Sequence, residues 1–249
     1  MDLSAIVINS VKYPFRNISR LIVISVLFVL IAIIPIGKLM GNDFVVLIGV
    51  IAFFIFIMIV PGYFLGVVKT GFRHSSAVPS FNLVNSIADS VRVLILRTVY
   101  MIIPVFVFFA LMSTAGPASI DLIYKLQIPS FLATFGLMIL VIVITYLIFE
   151  FLLFFAKARM AYLNSLSEAL KIHKVVGDIR NIGIGNIIKW AIVMLILVIA
   201  VSVISSWVMV IPYVGFLIDL CVVVPIMESI GNYSLGMLYS NIDEKRMIN

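Results

Sequence analysis

The chain has 249 residues, 64% of them hydrophobic and 11% charged, with a formal net charge of +6 and a mean hydropathy of +1.28. A soluble domain carries about 25% charged residues and cannot hide this much apolar surface, so lipid is the solvent for most of the chain. The basic excess, which in a soluble protein would suggest nucleic acid, here points to anionic headgroups at a cytoplasmic face; no nucleic-acid partner is expected.

The opening residues, "MDLSAIVINSVKYPFRNISR", read as a short amphipathic lead-in. Leu3, Ile6 and Val7 fall on one side, and Lys12, Arg16 and Arg20 lie near the headgroups. They do not read as a cleaved signal peptide, because the first long apolar run begins only at Leu21 and no small-residue cleavage motif follows it. Crossing the hydrocarbon takes about 20 apolar residues in a helix. Six stretches qualify, at 19–37, 44–69, 93–115, 129–156, 187–210 and 213–240. Pro35 and Gly37 are expected to stop the first. "IPYVG" at 211–215 is expected to be the tight turn of a hairpin between the fifth and sixth.

Of the 17 Lys and Arg, all but Lys38 and Lys125 fall in, or within the bordering few residues of, the segments before span one, between two and three, between four and five, and after six. That asymmetry places both termini and the two long loops in the cytoplasm. The sequon at Asn17–Ser19 would then face the wrong side for glycosylation. Two loop segments carry half-apolar patterns. In "PSFNLVNSIADSVRVLILRTVY", Val84, Ile87, Ala88, Val91 and Ile95 form one stripe, opposite Asn82, Asn85, Ser86, Asp89 and Arg92. In "NSLSEALKIHKVVGDIR", Ser165 and Glu168 have capping-box spacing, with Leu166, Ala169 and Leu170 as an apolar patch and Lys171 and Lys174 turned away. Interfacial helices are therefore expected at 80–92 and 166–176 on the cytoplasmic side. The fold class is an all-α membrane protein: one polytopic domain over 1–249, six transmembrane helices and two amphipathic interfacial ones. A parallel duplication offset by roughly 88 residues is suggested only by short echoes such as "YFLG" and "YSLG".

The stretches "PSFNLVNSIADS" from Pro79, "IGIGNIIKW" at 182–190, "IPYVGFLI" at 211–218 and "YSLGMLYSN" at 233–241 resemble the archaeal multi-pass membrane proteins grouped as domain of unknown function 4013. Ser90 stands where that pattern has a glycine. The resemblance implies an archaeal plasma-membrane protein and brings no catalytic residue, cofactor or known activity.

Chemistry has few groups to recruit. His74 and His173 lie on separate loops, with no further ligand at metal-binding spacing. "GIGNII" at 183–188 lacks the preceding strand and third glycine of a dinucleotide fingerprint. The lone Cys221 reads as a small buried apolar residue. No metal, cofactor or catalytic set is expected, and the chain is not expected to be an enzyme. Charge inside a span is costly, and so it marks a candidate site. Glu228 falls near the middle of span six, three residues after Pro225, with Ser229 beside it and Asn232 one turn on. That set reads either as a structural polar clamp or as an ion or proton site, and no Lys or Arg is expected at comparable depth. Glu150 in span four has Lys157 and Arg97 as candidate ion-pair partners at the inner interface. Asp219 is expected to reach water or headgroups at the outer end. Three functions stay open: a non-enzymatic scaffold or assembly factor that engages membrane proteins and anionic lipids through its basic loops, a small transporter or channel using Glu228 and Asn232, and a lipid-headgroup enzyme.

Overall fold

The computed structural model describes residues 3–16, 18–79, 81–124, 128–211 and 214–248. Asn17 of the sequon, Ser80 of the polar opening, Lys125 of the charge count, and Pro212 and Tyr213 of the hairpin lie outside them. The described residues are helical, without a strand: α1 Leu3–Lys12, α2 Ile18–Leu39, α3 Asp43–Phe72, α4 Leu83–Tyr124, α5 Ile128–Leu163, α6 Leu166–Ala169, α7 Ile172–Ile182, α8 Ile184–Val208, α9 Val214–Ile218 and α10 Val224–Ile248. A single-turn 3₁₀ helix follows α1, and a π turn, Asp219–Val223, joins α9 to α10. Among the described residues, six segments are long and apolar enough to cross a membrane: α2, α3, Leu83–Thr114 of α4, Ala133–Leu163 of α5, α8, and Val214–Ile242. The chain crosses back and forth, so the described parts of 73–82 and 164–183 share one end of the bundle with α1 and the second half of α10, here called the terminal end.

The spans agree with the apolar runs, but several boundaries move. α2 does not stop at Pro35 and Gly37; it runs through both to Leu39. Gly37 lies against the backbone of Val46, and Gly49 against that of Ile34, so packing on α3 holds the last turn together despite the missing proline N–H. α3 is the hub. In its terminal half Val60, Gly62, Tyr63, Phe64, Leu65, Val67, Val68 and Gly71 are all buried. Lipid supplies no hydrophobic drive between helices, and association depends on such close approach. At the far end Phe44, Leu47, Ile51 and Phe54 are exposed, an apolar exterior suited to lipid.

The helix expected at 80–92 is not a separate interfacial element. It forms the first turns of α4, since no Gly or Pro interrupts 83–103 and the helix runs on through Pro104 to Tyr124. Val84, Ile87, Val91 and Ile95 face outward, while Ser86 and Ser90 are buried. Ser90 Oγ accepts the N–H of Gly62 at 2.7 Å, beside Pro61, and Asp89 is bound by Lys69 at 2.9 Å and Arg92 at 3.2 Å. Part of the polar face thus turns into the protein, against α3. The segment expected as one helix at 166–176 is two. Ser165 caps α6, accepting the N–H of Glu168, and the chain breaks at Leu170–Lys171 before α7 begins. Its apolar face does not need the interface: Ala169, Val175, Ile179 and Ile182 are buried in the bundle core. α7 and α8 are separated at Gly183, whose φ of +94° is accessible to glycine with little strain.

Candidate functional site

Of the 25 residues of α8, only Ile187, Trp190 and Ser205 are buried. The helix is anchored at its start, where Trp190 packs at a tilt against Phe154 of α5 with ring centroids 5.6 Å apart. Beyond that anchor it leaves a cavity of about 880 Å³ against α4, α5, the π turn and α10. The walls are mainly apolar (Leu96, Leu153, Phe154, Met194, Val198, Met227), with a smaller set of polar side chains among them. That mixture, at that size, is typical of small-molecule sites.

At the centre Lys157 of α5 donates from Nζ to Asn232 Oδ1 at 2.6 Å. Asn232 Nδ2 in turn donates to Glu228 Oε2 at 3.0 Å and to the Glu228 carbonyl at 2.7 Å. The absence of a cation at the depth of Glu228 is therefore corrected. Side chains tilt toward the N-terminus of their helix, and α5 starts at the far end, so the Lys157 stem carries its ammonium into the membrane. Ser229 does not join this chain of bonds; it is buried and donates to the Pro225 carbonyl at 2.7 Å. Of the inner-interface trio, Arg97 and Glu150 pair at 2.8 Å, with Tyr146 donating to the same carboxylate oxygen at 2.8 Å. Lys157 takes no part in that pair.

Asp219 is turned inward as well. Ser205 of α8 donates to its carboxylate, and both line the cavity with Ser202 and Ser206. In a regular helix, at about 100° per residue, Asp219 and Glu228 would stand on opposite faces. The π turn at 219–223 widens the helix just ahead of Pro225 and rotates Asp219 round toward the cavity. The polar groups thus line the cavity at several depths, with Asp219 and the serines toward the far end and Glu228, Asn232, Lys157, Glu150 and Arg97 along the rest.

A second polar cluster, which the sequence reading missed, closes the terminal end. Arg159 of α5 and Asp178 of α7 form a buried ion pair. Tyr239 of α10 donates to the same carboxylate, while Arg159 Nε reaches the Glu168 carbonyl at 3.0 Å and Tyr100 the Ala169 carbonyl at 2.9 Å. The signal available was an arginine six residues past Leu153 on the apolar helix α5. It was read only as part of the basic loop count. On the surface of this cluster, hydrogen bonds from Lys171, Lys174 and Arg159 pull the Glu168 carboxyl down to about 2. Among the described residues, no three of His, Cys, Asp and Glu gather into a possible metal site.

Six apolar spans, four of which line a partly polar cavity, mark a multi-pass integral membrane protein. Its family is the one described as Protein of unknown function (DUF4013), to which the chain belongs, with residues 44–211 matched. The match takes in Arg97, Glu150 and Lys157; Asp219, Glu228 and Asn232, and the resembling stretch at 233–241, lie beyond it. Neither a curated protein nor a solved structure matches the chain.

Proposed function

We propose that this protein is a small, non-enzymatic membrane transporter, a carrier or channel whose solute path is the cavity between α4, α5, α8 and α10. The observation that carries the reading is the Lys157–Asn232–Glu228 chain of hydrogen bonds inside that cavity, with a polar lining extending toward Asp219. Ionisable groups are retained in hydrocarbon where they face a water-accessible route or a bound polar solute. By the excess of Lys and Arg at the terminal end, that end and both termini are assigned to the cytoplasm, in contact with anionic headgroups of the cell membrane. Cysteines placed at Asn42 and Ser75 should then label from opposite sides of intact cells.

The test is ion and solute flux in proteoliposomes. Flux carried by the wild type and lost in Glu228→Gln, at an unchanged melting temperature, is expected. A wild type that moves nothing across a panel of protons, alkali cations and small organic solutes would refute the transport reading. The scaffold alternative is supported by the exposed Lys171 and Lys174 on the terminal-end surface, where a partner would meet them. It predicts a copurifying membrane protein that is lost in Lys171→Glu/Lys174→Glu.

A further inference from the structure

The geometry points to a zwitterionic solute for this cavity: a molecule with a positive and an anionic group on a partly apolar body. This rests on the cavity being the binding site just proposed. Arg97 and Glu150 neutralise each other at 2.8 Å, and Asp219, nearer the far end, has the neutral hydroxyl of Ser205. Lys157 and Glu228 stand together at the centre. Among the described residues neither has an opposite charge within ion-pair distance; each is held instead by one end of the Asn232 amide. The amide oxygen takes one of the three ammonium protons, and the amide nitrogen serves one carboxylate oxygen.

An amide orients a cation and an anion and leaves them attracting each other only across it, short of an ion pair, and charges left unpaired within a span are costly. A ligand bearing only a positive group would complete Glu228 and leave Lys157 facing a second cation. A ligand bearing only a negative group would do the reverse. A zwitterion completes both: its anionic oxygens meet the ammonium of Lys157 and its cationic group the carboxylate of Glu228, while Leu153, Phe154 and Met194 take the apolar body. The same chemistry could come from an amino-acid-like solute or from a zwitterionic lipid headgroup.

The experiment is a binding titration on purified protein carrying Trp207→Phe, read by the fluorescence of Trp190, whose ring packs against the lining residue Phe154. The probes are leucine, its decarboxylated amine (3-methylbutylamine), its deaminated acid (4-methylpentanoate), and a short-chain phosphatidylethanolamine. At least one zwitterion should bind about tenfold or more tighter than both single-charge probes, as expected where two charge contacts replace one. Binding of leucine identifies a water-borne solute, and binding of phosphatidylethanolamine alone identifies a headgroup. Lys157→Met should move the preference to the amine and Glu228→Gln to the acid, with Lys157→Arg restoring the original order. Equal affinity for all probes, no zwitterion binding, or variants that leave the order unchanged would overturn the inference. Flux of a single-charge ion without zwitterion binding would overturn it while leaving the transport reading intact. Charge-swapped binding without flux of any kind would do the opposite.

Discussion

Gly71 of α3 and Gly236 of α10 meet without a side chain between them. A Cβ on Gly236 would overlap the Val68 carbonyl oxygen, and one on Gly71 the Tyr233 carbonyl oxygen. Neither obstacle is a side chain that could swing away; both are backbone. The crossing also carries the stacking of Tyr13 on Tyr233, with centroids 4.1 Å apart, and the bond from Tyr13 to Thr70, so it seats the N-terminal helix as well. Gly236→Ala should destabilise the protein by about 1–3 kcal/mol through overpacking, seen as a lower melting temperature in detergent. Gly231→Ala, where open space surrounds the position, should leave it unchanged.

The hydroxyl of Ser90 accepts the buried Gly62 N–H across the α3–α4 contact. Ser90→Gly removes that acceptor from a buried donor, at a cost of about 1–3 kcal/mol. Ser90→Thr, which keeps the hydroxyl, should be milder provided its methyl fits. Chemical denaturation in mixed micelles distinguishes the two; equal stability of wild type and Ser90→Gly would contradict the role assigned to the bond.

The Arg159–Asp178 pair ties α5 to α7, and Tyr239 ties it to α10. Asp178→Leu leaves the Arg159 guanidinium with only the partly exposed Glu168 carboxylate and Tyr239 without its acceptor, so it should cost about 1–3 kcal/mol. Arg159→Met combined with Asp178→Leu should recover much of the loss. A double-mutant cycle on melting temperature checks this, and simple additivity would count against coupling.

Glu168 provides a pH dependence of definite sign. Its carboxyl is held at about 2 in the folded protein, chiefly by Lys171 and then by Lys174 and Arg159. The folded value lies below the ordinary one of 4.5, so its stabilisation is present above that value and is lost as pH falls toward 2. Hydrogen exchange over α6 and α7, taken relative to the intrinsic rate of an unfolded amide at each pH, should quicken through that window. In Glu168→Gln it should be faster already at neutral pH and change less on acidification.

Asn232 separates Lys157 from Glu228. Asn232→Leu should leave both charges without their hydrogen-bond partner, lower the melting temperature and abolish flux together. Asn232→Gln should preserve more of both. Flux that survives in the leucine variant would show that the path bypasses the amide.

The number and length of the spans were legible in the chain itself, because the thickness of the hydrocarbon sets a scale that an apolar run either meets or misses. The cost of burying charge likewise made Glu228, Asn232 and the Arg97–Glu150 neighbourhood stand out before any fold was known. Tertiary structure alone decided how those groups face. Lipid and protein interior are both apolar, so periodicity reveals which residues share a stripe but not which stripe turns inward. For that reason Ser86 and Ser90, expected at an interface, are buried against α3. Lys157 joins Asn232 because helix direction aims its side chain into the membrane, and Asp219 turns to Ser205 because a π turn rotates it. Contacts between residues 75 apart, such as Lys157 with Asn232, leave no local trace in a sequence, since they depend on how whole helices pack.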